Sequence, residues 1–352
     1  MNLATLPQAR PLPQESEPLA DDTSVRTFLA PFQSFIDDDG VTEIAVNDEG
    51  RIWYEKHSTW SSAATDQVDQ QAVAHLGRAV ATFSKQKWDR TTPLLSASLP
   101  DGSRIQLVMS PAVEPRRVSF TLRKPARIAR TLDDFASDGL FKQVRTTQNA
   151  LMPHEIELTK LLEQKNYEGF LRLAVASRLN IVVSGATGSG KTTFMKALVR
   201  EIPRGERLIT IEDVRELFLP HENAVHLLYS KGGQSAANVT PKMLLESCLR
   251  MKPDRILLAE VRGDECLYYV RNAASGHPGS MTSCHAGTPA LAFEQMAIMI
   301  QDSPGGANLT FDVIKRLLTL TIDVVIQFQS IGGERFISEI YYDPEKKLRA
   351  TA

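Results

Sequence analysis

Residues 180–202 read NIVVSGATGSGKTTFMKALVREI, and the fold class is decided in this stretch. Ile181 to Ser184 is a short apolar run rich in β-branched residues, the pattern of a buried strand, and FMKALVREI spaces its apolar positions along one face of a helix. Between them GATGSGKT, Gly185 to Thr192, fits G-x-x-x-x-G-K-[ST] at every fixed position. Glycines at 185, 188 and 190 let the backbone turn successive N–H groups inward onto an anion. A helix starting near Lys191 adds the partial positive charge of its N-terminus. The expected ligand is ATP with Mg²⁺. Gly185, Ala186, Thr187, Gly188, Ser189 and Gly190 would cradle the phosphates, and Lys191 would charge the β/γ end. Thr192 would offer its hydroxyl to Mg²⁺, and Thr193 would make a further phosphate contact. The competing explanation, a glycine-rich turn that merely joins strand to helix, fits the flanking strand and helix less well.

Downstream, the same strand–loop–helix order recurs at RLITIED and RILLAEV, which marks an α/β sheet. Such sheets gather ligands at the C-terminal ends of their strands, where RILLAEVRG places Glu260 within reach of an attacking water. LITIEDVREL ends a strand in two acids, Glu212 and Asp213. Either suits a base or a group behind Mg²⁺, and either also suits a helix cap; Glu212 is favoured. In GHPGSMTSCHAGTP, His277 and His285 flank a strand-like SMTS, so that one imidazole can sense the γ-phosphate. Zinc is disfavoured, because no acid or cysteine stands at metal spacing from them.

Upstream, VRTFLAPFQSFID suits an amphipathic helix, and VTEIAVNDEGRIWYEK suits two strands joined at Asn47 to Gly50. Gln67 to Ser84 has helical spacing, while SRIQLVMS and RRVSFTLRK alternate as strands. The expected organisation is a disordered tail (1–23), an α+β N-terminal domain (24–125), a linker (126–152) and an α/β P-loop NTPase motor domain of RecA-like type (153–352). The chain of 352 residues is long enough for two cores. A net charge of -2 gives no global excess for gripping a nucleic-acid backbone, so direct nucleic-acid binding is not expected. Three dispersed cysteines fit a reducing cytoplasm rather than a disulfide framework. The apolar runs fall far short of the roughly 20 residues that span a bilayer, which leaves only peripheral membrane contact.

In order, GATGSGKTT, LITIEDVREL, RILLAEVRG and GHPGSMTSCHAGTP resemble the Walker A, Asp box, Walker B and His box of the secretion ATPase superfamily. Over roughly residues 25 to 340 the chain most resembles the VirB-eleven class of type IV secretion and conjugation traffic ATPases. That resemblance implies a cytoplasmic homo-hexameric motor set peripherally against inner-membrane components of a secretion complex, with nucleotide between the two domains of one chain. By motif it makes Lys191 and Thr192 ligands of phosphate and Mg²⁺, Glu212 the Asp-box acid, Glu260 the Walker B acid, and His285 the His-box histidine. Glu260 stands where many P-loop enzymes have aspartate. Charge compensation by arginine is expected from Arg104 in DGSRI and Arg123 in SFTLRK. The basic stretch Arg116, Arg117, Arg123, Lys124, Arg127 and Arg130 suits phosphate, acidic headgroups or an adjacent subunit. A type II secretion or type IV pilus motor, a nucleotide-gated scaffold and a DNA translocase are the alternatives. Relatives in the first of these usually carry a tetracysteine zinc subdomain, which three cysteines cannot supply.

Overall fold

A computed structural model describes residues 22–126, 131–144, 150–230 and 236–351. The predicted tail up to residue 21, and Arg127 and Arg130 in the predicted linker, lie outside the described residues.

The N-terminal part is one antiparallel sheet of six strands, β1 (Val41–Val46), β2 (Arg51–Lys56), β3 (Thr59–Ala64), β4 (Leu94–Ser98), β5 (Arg104–Met109) and β6 (Val118–Arg123), in the order β3-β2-β1-β6-β5-β4. The predicted turn at Asn47 to Gly50 joins β1 to β2, and Gly50 takes φ +76° there. One face carries the apolar core: Ile44, Ile105, Leu107, Phe120 and Leu122 bury against Val73, Leu76 and Val80 of the helix Gln70–Phe83. Asp69 starts that helix by accepting the Ala72 amide at 2.7 Å. The stretch read as one amphipathic helix is broken. Pro31 has no N–H for the helical ladder, and the chain runs as a helix Thr23–Leu29, a 3₁₀ turn Ala30–Phe32 and a helix Gln33–Asp37. The break brings Phe32 over Phe120, ring centroids 5.0 Å apart.

The second sheet has seven strands, β7 (Ile181–Gly185), β8 (Leu208–Glu212), β9 (Ala224–Leu228), β10 (Arg255–Leu258), β11 (Met281–Cys284), β12 (Val324–Ile331) and β13 (Glu334–Tyr342), in the order β13-β12-β7-β11-β10-β8-β9. All neighbours are parallel except the β12–β13 hairpin. The strands β7, β8, β10 and β11 are buried at every position, which is why the first three read as near-continuous apolar runs rather than alternating ones. From β7 the chain crosses to β8 on one side and later returns as β12 on the other. The C-terminal end of β7 is thus where the strand order reverses, the place at which α/β sheets open a crevice.

The two sheets meet through a buried cation. Arg207, just before β8, is fully buried, and its guanidinium donates to Asn47 Oδ1 (3.0 Å) and Thr121 Oγ1 (3.2 Å) on the first sheet. It also donates to Asn223 Oδ1 (2.5 Å) and the Met251 carbonyl (3.0 Å) on the second, and it lies 5.2 Å from the Trp60 ring. Burial lowers its pKa to about 10, so it stays charged at neutral pH. Nearby, Lys252 donates to Glu55 at 2.8 Å, and the Leu228 amide donates to the Ala112 carbonyl at 2.9 Å.

Candidate functional site at the end of the P-loop strand

Gly185 closes β7 with φ +152°, and a Cβ there would stand 2.8 Å from the Phe328 carbonyl oxygen and 2.9 Å from Ser189 Oγ. Only glycine fits that approach. Gly188 (φ +75°) and Gly190 (φ +102°) carry the loop round to the helix Lys191–Arg200. Lys191 is 8% exposed, and its ammonium donates to the Gly185 and Ala186 carbonyls at 2.7 and 2.9 Å. Burial depresses the Lys191 pKa while the Glu260 charge opposes that shift. Ser189 Oγ is buried without a hydrogen-bond partner, Thr192 is half-buried at the helix start, and Thr193 is exposed. Ala186, Thr187 and Gly188 form the exposed rim of the loop.

The segment after β10 is pinned on both sides. Ala259 N donates to Ile211 O (3.0 Å) beyond β10 on one flank, Val261 N to Ser283 O (2.9 Å) on the other, and Ser283 Oγ returns a bond to Ala259 O (2.7 Å). Glu260 is thereby fixed at the sheet end, one strand removed from the P-loop strand because β11 lies between β7 and β10. Its Oε2 accepts from Arg262 Nε at 2.7 Å and from a terminal guanidinium nitrogen of the same residue. Its Oε1 abuts His285 Nε2 without making a hydrogen bond, and the two form an ion pair whenever the ring is protonated. His285 directly follows Cys284, which pairs with Ser184 of β7. His277 precedes β11 at the other end, where burial lowers its pKa and its Nδ1 lies 3.3 Å from the Asn272 carbonyl. Of the two histidines, only His285 joins the acid.

The paired acids after β8 part company. Glu212 is fully buried, and its Oε2 accepts the Glu216 and Leu217 amides at 2.8 and 2.9 Å, so it anchors the turn that follows. His226 Nδ1 lies 3.9 Å from its other oxygen, but burial drops the His226 pKa to about 4 and the ring is neutral at pH 7, so the contact is not an ion pair. Asp213 is half-buried, and its charge acts on Arg262 and Tyr229. The charge of Asp213 reaches Arg262 of the Walker B segment, while Glu212 is held by the turn amides.

Arg104 and Arg123 are cross-strand partners on β5 and β6, and Arg123 Nε stands 3.5 Å from Glu43. They line a cleft of about 880 Å³ with Glu43, Glu55 and Lys252. Lys252 precedes β10 and Glu260 follows it, so this cleft lies at the opposite end of the parallel strands from the P-loop. The structure does not bring Arg104 or Arg123 to the phosphate loop of their own chain. Nor does it set that loop between the two domains of one chain. The first sheet docks on the start of β8 and along β9, three and four strands from β7, or about 14–19 Å at ordinary strand spacing.

Two arginines at the loop escaped the sequence. Arg262 was legible in principle, standing two residues beyond Glu260 in RILLAEVRG. Arg335 had no local signal. The β12–β13 hairpin continues past the Phe328–Gly185 pair, and the Arg335 Cδ comes within 3.8 Å of where a Gly190 Cβ would stand. Among the described residues it makes no ion pair.

The family profile of type II/IV secretion system proteins matches residues 27–328. The chain belongs to this family. It is 48% identical over 330 residues, 92% of this chain and 91% of the relative, to the type IV secretion system protein VirB11 of Brucella suis. It is 38% identical over 325 residues to the type IV secretion system protein PtlH of Bordetella pertussis, covering 91% and 95% of the two chains. The crystal structure of the VirB11 ATPase from the Brucella suis type IV secretion system, in complex with sulphate, matches with a TM-score of 0.90 at 47% identity, covering 94% of this chain and 98% of that one. The N-terminal α+β domain and the RecA-like P-loop sheet are thus the family fold, and the chain is an ATPase of the type IV secretion kind.

Proposed function

We propose that Gly185 to Thr193 bind ATP with Mg²⁺ and that its hydrolysis drives a homo-hexameric motor at the cytoplasmic face of the inner membrane, working with inner-membrane components of a type IV secretion or conjugation complex. The observation that carries this is the meeting of Lys191, Glu260 and His285 at one end of the sheet. The loop fits the ligand. Gly185 admits no side chain, the buried Ser189 hydroxyl lacks a partner, and the Lys191 ammonium sits at the centre of the turn. Thr192 is the residue to hold Mg²⁺, which when bound neutralises the β- and γ-phosphate oxygens. Glu260 orients a water and takes its proton as the water oxygen bonds to the γ-phosphorus. The bond to the bridging oxygen breaks, and ADP leaves with the electron pair. His285, beside the other oxygen of Glu260 at the end of β11, adds an ion pair to it when protonated. Glu212 acts at one remove, by fixing the turn that carries Asp213. Arg104 and Arg123 reach a phosphate only if it belongs to another copy of the chain, a requirement that favours a ring. Peripheral membrane contact accords with the described residues, where no helix is long and apolar enough to cross a membrane.

Lys191→Gln tests the core of this reading: phosphate release should vanish, and full turnover in that variant would refute it. The scaffold alternative is separated by Glu260→Gln, which leaves nucleotide binding intact. A motor loses substrate transfer in that variant, and a scaffold keeps it.

A further inference from the structure

We infer that Arg262 is a catalytic arginine supplied by the same chain as the P-loop: its guanidinium moves from the Glu260 carboxylate to the terminal phosphate of ATP, freeing Glu260 to hold the attacking water. The inference rests on Gly185 to Thr192 being the triphosphate site. Four features of the molecule carry it.

First, Arg262 occupies the acid that the reaction needs. Both of its bonds to Glu260, from Nε and from a terminal nitrogen, fall on Oε2, and His285 lies against Oε1. Oε2 is thereby taken from the water, while Oε1, buried against His285, makes no hydrogen bond of its own. Second, the partners are unequal in mobility. The Arg262 side chain is 47% exposed and that of Glu260 14%, so the arginine is the member free to swing. Third, its root is fixed, because the Arg262 and Gly263 amides both donate to Glu265 Oε1, at 2.5 and 3.0 Å. A mobile guanidinium on a fixed backbone travels a short, defined arc. Fourth, two cations oppose each other across the site. The Arg262 charge acts against that of Lys191, while the carboxylates of Glu260 and Asp213 hold the guanidinium back. A triphosphate entering between the two cations relieves their repulsion and competes with Glu260 for the guanidinium. The planar fork of arginine suits two phosphate oxygens, and its remaining N–H donors are unspent. The Asp213 charge also acts on Arg262 and favours keeping it at the site.

The test uses the full chain and separates binding from turnover. In Arg262→Ala, the Kd for a fluorescent ATP analogue should stay within about threefold of the parent, while kcat falls on the order of 100-fold, as for loss of one donor to a developing charge. Added guanidinium ion should restore part of the lost turnover. Arg262→Lys should restore less than the parent rate, since an ammonium cannot span two oxygens. A Glu260→Gln, Arg262→Ala double variant should be hardly slower than Glu260→Gln alone, because the two groups act in one step. Unchanged or raised kcat in Arg262→Ala would overturn the inference and leave Arg262 as a brake on Glu260. Joint loss of binding, kcat and thermal stability, without rescue by guanidinium, would assign it a structural part only. Regained turnover on mixing Arg262→Ala with Lys191→Gln chains would show that the arginine serves a neighbour. Normal ATP binding and turnover in Lys191→Gln, whatever Arg262 variants do, would instead remove the triphosphate site itself.

Discussion

At the scale of single residues, the phosphate loop is set by what cannot be there. Gly185 combines φ +152° with a carbonyl oxygen 2.8 Å from the position of a Cβ. Gly185→Ala should therefore cost on the order of 1–3 kcal/mol in stability and weaken nucleotide binding with it, as thermal denaturation with and without ATP would report. The titration of Glu43 is a second residue-scale effect. Burial raises its pKa to about 7 from an ordinary 4.5, with Glu55 adding to the rise and Arg123, Lys252 and Arg207 opposing it. For an acid raised in the folded state, the stabilising form is the protonated one. The stability it confers is complete below about pH 4.5 and is lost as pH rises through 7. Against Glu43→Gln, the parent protein should lose on the order of 3 kcal/mol between those limits. Parallel urea titrations across that pH range would measure the difference.

At the scale of elements, legibility followed locality. The strands β7, β8 and β10 were readable because each is a largely apolar run ending in a turn or a polar residue, and the P-loop because its spacing is covalent. The helix Thr23–Leu29 was read too long, since apolar spacing persists through Pro31 although the hydrogen-bond ladder does not. The two neighbouring acids carried no signal that separates their surroundings. Whether Glu212 or Asp213 turns inward depends on which one meets the Glu216 and Leu217 amides, and that is a matter of turn geometry. Arg335 was invisible because a hairpin from the end of the chain delivers it beside Gly190. If that hairpin walls the nucleotide site, Arg335→Ala should raise the KM for ATP several-fold, about 1 kcal/mol of lost contact, and leave kcat nearly unchanged. Steady-state kinetics would show the split.

At the scale of the whole molecule, each chain presents two separated basic regions, one around Lys191 and Arg262 and one around Arg104, Arg123 and Lys252. With the second region unable to serve its own P-loop, turnover per chain should rise with protein concentration. Arg123→Ala should flatten that rise without changing the rate at high dilution. Activity followed across a dilution series, alongside light scattering, would check both. The joint between the sheets makes its own demand. Arg207→Ala leaves Asn47 Oδ1, Thr121 Oγ1 and the Met251 carbonyl without this donor, and several kcal/mol of stability, about 1–3 for each buried group left unsatisfied, should go with it, seen as a lower melting temperature.

The same joint limits how the chain can work as a machine part. A guanidinium with bonds into both sheets behaves like a rivet: sliding one plate over the other would leave a charge in a dry seam. One polypeptide is therefore better pictured as a stiff lever than as a jaw. In the proposed ring, the compliance of a working stroke then belongs to the seams between levers rather than to the joint within one.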